Sequence, residues 1–262
     1  MIAGRLHLQS RADARRAAAC CILSEAAAWF PDSLPSFFIL SPTTLQARLI
    51  PHLAKSSTNT MSTDPKAYKG SCHCGLVQYQ IRLKFPTSPK PEGETISIYK
   101  CNCSTCQKMG FFHCRPITPA EDFILISPTN IKELGDYRVY TKTNGWYFCK
   151  QCGVRVFGIG AKWGKERMDV EAWGRGEKGD QGDEKDMQVV LKTMPTTKKR
   201  VVDGEEVEKP YHYVSVNAVT LEPNEDTDLK KWHENGWIMY VDCRARKEPA
   251  PRFGEPFEGG MY

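Results

Sequence analysis

Gly70-Ser71-Cys72-His73-Cys74-Gly75-Leu76-Val77-Gln78-Tyr79-Gln80-Ile81-Arg82-Leu83 carries two patterns in a single run. Its second half alternates apolar and polar residues over 76–83, the period-two signature of a strand with one buried face. Its first half places two cysteines at i and i+2, and in extended chain such residues point to the same side. The stretch therefore predicts a strand beside a pair of thiolates aimed at one point.

The same strand-like punctuation continues outward. Residues 96–99, 123–126, 137–141, 154–159 and 211–221 read as further short strands separated by turn residues, which makes the domain mainly β. Residues 188–191 and 200–202, joined by 193–199, read as a hairpin beside the polar, glycine-rich loop 174–186 (GRGEKGDQGDEKD). Residues 226–235 read as the one helix after the N-terminal tail, with Asp226 as its cap and Gly236 as its stop. Residues 85–93 (FPTSPKPEG) form a Pro-rich loop, and there is no internal repeat.

The chain holds eleven cysteines, eight of them between Cys72 and Cys152. An odd total and close C-x-C and C-x-x-C spacings argue against a disulfide framework and for thiolate–metal chemistry in a reducing compartment. Three groups stand out: Cys72/Cys74, Cys101-Asn102-Cys103-Ser104-Thr105-Cys106 and Cys149-Lys150-Gln151-Cys152-Gly153. Zinc takes four tetrahedral ligands, so two pairs make a closed structural site, whereas three sulfurs leave one corner for water or substrate. His73 alternates away from its neighbours and reads as a surface residue. Cys114 reads as core, His113 and Arg115 as packing and surface residues, and Cys20, Cys21 and Cys243 have no metal-type spacing.

Composition bounds the rest. The net charge is +5, of which residues 1–60 carry +3, leaving +2 for the remaining 202 residues with acids and bases mixed. That gives no case for nucleic-acid binding, and no run of 18 apolar residues suggests a membrane span. Residues 1–60 are rich in Ala, Ser, Leu and Arg, a composition shared by disordered tails, upstream extensions and mitochondrial transit peptides. The expected organisation is a tail over 1–60, a zinc-binding β domain over 61–245 with a mobile insertion at about 164–210, and an irregular tail over 246–262. The expected location is cytoplasmic, or mitochondrial if the tail is a transit peptide.

The motifs G-S-C-H-C-G at 70–75, C-N-C-S-T-C at 101–106 and F-C-K-Q-C-G at 148–153 resemble the glutathione-dependent formaldehyde-activating enzyme family, which includes the domain of centromere protein V. Residues 213–221 (YVSVNAVTL) add a late strand typical of that family, and the ending looks like a fungal branch. The resemblance implies a zinc-stabilised β-tent of short antiparallel strands with a short C-terminal helix. It implies structural zinc at Cys72, Cys74, Cys149 and Cys152, a second, labile zinc at Cys101, Cys103 and Cys106, and hence two Zn2+ per chain. It also implies a carbon–sulfur lyase whose partners are a small thiol such as glutathione and a small aldehyde. Zinc on three thiolates is a weak Lewis acid, better at delivering a thiolate nucleophile than at activating water. The competing readings are a non-catalytic zinc-binding interaction module and a zinc carrier or redox-sensitive module. No general acid or base and no oligomeric state can be read from the sequence.

Overall fold

The computed structural model describes residues 65–85, 96–139, 142–180, 182–202 and 204–262. The N-terminal tail and all but Phe85 of the Pro-rich loop lie outside the described residues. Fifteen strands and three short helices are formed among the described residues.

Five strands make one antiparallel sheet, in the order β1 (Lys66–Ser71), β2 (Gln78–Leu83), β5 (Phe123–Ser127), β10 (Met187–Met194) and β9 (Lys162–Asp169). Eight make the other, in the order β15 (Arg252–Phe253), β14 (Met239–Val241), β3 (Ser97–Cys101), β4 (Phe112–Arg115), β13 (Tyr213–Asn217), β8 (Arg155–Gly160), β7 (Gly145–Phe148) and β6 (Gly135–Arg138). Every pairing is antiparallel except β14 against β3. The remaining pair, β11 (Thr196–Val202) and β12 (Glu205–Tyr211), forms a two-stranded ribbon.

The alternation of 76–83 does what it predicts. Val77, Tyr79, Ile81 and Leu83 are buried in one core with Phe123 and Leu125 of the same sheet and with Ile98, Phe112, Phe157, Val214 and Val216 of the other. Two apolar faces packed on each other are the elementary solution for antiparallel sheets. Trp232 seals one end: its side chain is fully buried, stacks on Phe85 at 5.4 Å and meets Phe112 edge-on at 6.0 Å.

Trp232 sits on α3 (Leu229–Glu234), which is shorter than the sequence suggests. Its cap is Asp228, whose Oδ1 accepts from the Lys230 and Lys231 amides, and not Asp226. Asn224 Oδ1 accepts from the amides of Asp226 and Thr227, a local turn that delays the helix. Asp226 instead accepts from Tyr68 Oη at 2.9 Å and Lys66 Nζ at 3.0 Å, tying β1 to the helix entrance. Two further helices escape the sequence reading because each is too short to show a period. These are α1 (Ser104–Met109), capped by Cys103, and α2 (Val170–Gly174), capped by Asp169. The latter covers the outer face of the five-stranded sheet, where Val170 and Trp173 pack on Ile124, Met168 and Val190.

The expected hairpin of 188–191 with 200–202 does not form. Both segments are strands, but β10 pairs with β9 and β5 while β11 pairs with β12. Extended chain runs through 187–202 with only Pro195 between the strands, so there is no turn to fold one back on the other. The turn comes later, at Gly204 with φ +86°. Most of 164–210 is thus strand, and the loop proper follows α2.

Trp232→Ala should lower the unfolding free energy by about 3–5 kcal/mol, measured by urea denaturation. A loss under 1 kcal/mol would mean that α3 does not close the core.

Candidate metal centres

Each cysteine turn is built by its own backbone. After β1 the Cys72 amide donates to Val77 O and the Gly75 amide to Cys72 O, both at 3.0 Å, with Gly75 at φ +76°. After β7 the Cys149 amide donates to Val154 O at 3.0 Å and the Gly153 amide to Cys149 O at 2.8 Å, again with the glycine at φ +76°. A side chain is strained at that φ, which is why each motif ends in glycine.

The two turns come from different sheets and bring their sulfurs together. Cys72 Sγ lies 3.6 Å from Cys74 Sγ, which lies 3.6 Å from Cys149 Sγ. With Cys152 the four ligand atoms are all within 4.8 Å of one another. A tetrahedron with Zn–S near 2.3 Å has edges of about 3.8 Å, so the all-sulfur donor set fits zinc in both chemistry and spacing. The four thiols are unequal. The Val154 amide chiefly lowers the pKa of Cys152, to about 6. The Leu76 amide pulls Cys74 the same way, but partial desolvation and the thiols of Cys72, Cys149 and Cys152 push it up to about 12.

The second cluster lies on the opposite face of the eight-stranded sheet. Strand alternation decides this. Ile98, Phe112, Val214 and Val216 face the main core, while Tyr99, Cys101, His113, Tyr213 and Ser215 point the other way. That second face is also dry, with Cys101, Cys106, Phe111, Trp146, Val241 and Cys243 forming a separate buried cluster.

Cys101, Cys103 and Cys106 hold their sulfurs within 4.8 Å of one another. Cys101 ends β3, and its sulfur accepts from the Cys103 amide at 3.3 Å. Cys103 caps α1, its sulfur accepting from the Cys106 amide at 3.4 Å. Amide donors withdraw charge from sulfur and favour its ionised form. The donor set again fits a thiophilic ion, with three protein ligands.

Two buried groups flank this set, and metal-type spacing marks neither. His113 Nε2 is 3.2 Å from Cys106 Sγ, while its Nδ1 lies 2.9 Å from Ser215 Oγ and 3.1 Å from Tyr213 Oη. The ring stacks on Tyr99 at 4.2 Å. Burial drives the pKa of His113 down to about 3, opposed by nearby Cys101 and assisted by Arg115. On the other side Cys101 Sγ lies 3.3 Å from Cys243 Sγ. Alternation along 111–115 is the one signal that could have placed His113 opposite Cys114. Cys243 stands 142 residues from its neighbour, and local spacing carries no trace of that. Cys114 is core, as its sequence context predicts, and His73 is exposed. Arg115 is half-buried, with its guanidinium 4.9 Å from the Tyr213 ring.

A cleft of about 460 Å³ lies against the outer side of α1, lined by Ser104, Thr105, Lys108, Met109, Tyr137, Arg138 and Val139.

Residues 67–185, which contain all seven clustered cysteines, match the family model described as glutathione-dependent formaldehyde-activating enzyme. These residues belong to that family. A crystal structure of a Rhodobacter sphaeroides protein is similar at 19% identity, over 62% of this chain and 94% of that chain, with a TM-score of 0.33. The family's matched residues stop before β10, so the strands and loops that wall the second cluster from the C-terminal side lie beyond them. No helix among the described residues is long and apolar enough to cross a membrane.

Because burial holds His113 neutral, its imidazole should remain predominantly neutral above pH 4, read from its ring nitrogen shifts. A group whose folded pKa is depressed below its unfolded value costs stability as pH falls from the unfolded toward the folded pKa. His113 should therefore contribute to acid lability between about pH 6.5 and 3, and a midpoint near 6.5 in the folded protein would contradict its burial.

Proposed function

We propose that this protein is a zinc-dependent enzyme of the carbon–sulfur lyase type, acting on adducts of a small thiol and a small aldehyde such as S-hydroxymethylglutathione. The observation that carries this reading is the three-sulfur set of Cys101, Cys103 and Cys106, which no fourth His, Cys, Asp or Glu ligand atom among the described residues joins within 4.8 Å of every member. Zinc held there has a position left for a ligand, where it would favour the thiolate of an incoming thiol at neutral pH. Cys72, Cys74, Cys149 and Cys152 would hold the structural zinc, giving two per chain.

The chain's own residues supply the surroundings. The amides of Cys103 and Cys106 steady two of the sulfurs, and Tyr99, Phe111, His113 and Trp146 exclude water on the buried side. Lys108 and Arg138 give the adjacent cleft positive charge, which suits an anionic thiol, although Arg138 is already paired with Asp136. In the synthetic direction the thiol sulfur bonds to the aldehyde carbon, and the carbonyl oxygen takes up the proton the thiol gives up. Lysis reverses both steps. Family membership supports a function of this glutathione-dependent formaldehyde-activating type.

The second reading is a non-catalytic zinc-binding module. It is favoured by the depth of the cluster, in which Cys101 and Cys106 have no exposed surface.

Elemental analysis should find two zinc ions per chain. Cys106→Ala should lose about one zinc and keep the fold. Cys149→Ser should aggregate or unfold, since structural zinc contributes on the order of 10 kcal/mol to folding; a soluble variant with an unchanged Tm would overturn the structural assignment. Added glutathione should raise the sulfur count at zinc in X-ray absorption, and the protein should speed exchange between formaldehyde, glutathione and their adduct in NMR. An unchanged zinc shell at saturating glutathione would favour the module.

A further inference from the structure

Cys243 belongs to a segment that the fold holds against the second cluster. β14 runs parallel to β3 with Val241 beside Cys101, and the Asn102 amide donates to Val241 O at 3.2 Å. Asn102 Nδ2 donates to Asp242 Oδ1 at 2.7 Å, and the same oxygen accepts from the amides of Arg244 and Ala245. The Arg244 side chain adds a hydrogen bond to Gln107 of α1. Each residue next to Cys243 is thus tied either to the cluster's own loop or to its helix.

The thiol so placed faces Cys101. Its sulfur is 3.3 Å from that of Cys101, yet Cys243 is not among the groups that lie within 4.8 Å of all three cluster sulfurs. A fourth corner of a tetrahedron would touch all three. The arrangement is that of two sulfurs facing each other, needing to close by roughly 1.3 Å to reach disulfide length.

We propose that Cys101 and Cys243 are a redox-active pair, joined in a disulfide by peroxide, and that this removes Cys101 from the second cluster and releases its metal. The release arm rests on the reading above, that Cys101 is a metal ligand; the disulfide does not. The Cys101 sulfur attacks one peroxide oxygen, the O–O bond breaks, and a sulfenic acid and hydroxide result. The Cys243 thiolate then displaces hydroxide from that sulfur. Two thiol hydrogens and one hydrogen peroxide become one S–S bond and two waters. A thiol reductant reverses the bond, so the cluster is reloaded when zinc is present.

The test is hydrogen peroxide treatment of the zinc-loaded full chain, followed by alkylation and trypsin. Trypsin leaves Cys101, Cys103 and Cys106 together in 101–108 and Cys243 in 232–244, so the proposed bond joins two peptides while a bond within the cluster gives one looped peptide. The expected result is the joined pair, localised to Cys101 by fragmentation, with loss of about one zinc per chain, and retention of that zinc in Cys243→Ser and Cys243→Ala over the same exposure. A looped 101–108 peptide, no cross-link, or equal zinc loss in both variants overturns the proposal. Protein isolated with a single zinc would defeat the metal reading and with it the release step, while the cross-link is still scored by mass.

Discussion

Cys74 Sγ and Cys149 Sγ sit 3.6 Å apart although they come from different sheets. The turn after β1 belongs to the five-stranded sheet and the turn after β7 to the eight-stranded one, so the four-sulfur contact is the seam at which the two layers are registered. Uncompensated, that crowding is unfavourable, since thiolates brought this close repel one another and resist losing their protons. A divalent thiophilic cation bound there would reverse the sign of the interaction, and the same four groups that would push the sheets apart would then hold them together. The hydrophobic faces supply the bulk of the packing, but burial alone is non-directional and would accept several alignments of two such sheets. Four sulfurs meeting within 4.8 Å of one another fit far fewer.

Alignment in turn fixes what the outer face of the eight-stranded sheet presents. Central strands β3, β4 and β13 are buried on both sides, so each contributes alternate residues to the main core and buries the others on the opposite face. The face turned away from the main core is not uniformly apolar. It carries His113, Ser215, Tyr213 and Tyr99 in one hydrogen-bonded, stacked group. Buried polar groups of this sort are stabilising only when satisfied, and here each finds a partner within the sheet or at Cys106. The second cluster therefore rests on a rigid polar floor, not on a flexible loop.

How much of this is legible in the sequence depends on the range of the interaction. The strand over 76–83, the two cysteine turns and the three-cysteine motif are written in neighbouring residues, because period, turn chemistry and ligand spacing act locally. The helix at 229–234 is legible in type, but its start is displaced because an Asn224 turn competes for the backbone that Asp226 would have capped. The pairing of β10 and β11 is misread because strand partners are chosen by the sheet and leave no local mark. The same holds for the floor and wall of the second cluster. His113 reaches Cys106 through a strand alternation that could be followed only once β4 was known to be buried on both faces, and Cys243 arrives from 142 residues away. Spacing rules find ligands that share a loop and are blind to those brought by topology.

The parallel pairing of β14 with β3 sets an order of assembly. A chain leaves the ribosome from its N-terminus, and domains begin to fold as they emerge. All four sulfurs of the seam have been synthesised once residue 152 is added, and the three of the second cluster are already present by then. The strand that flanks β3, and the thiol opposite Cys101, are synthesised only with residues 239–243, β14 being the last of the strands next to β3 and β4. The nascent chain thus carries both cysteine sets before the segment that walls the second cluster exists. In that interval the three thiols stand open to whatever ions and thiols the surrounding solution holds.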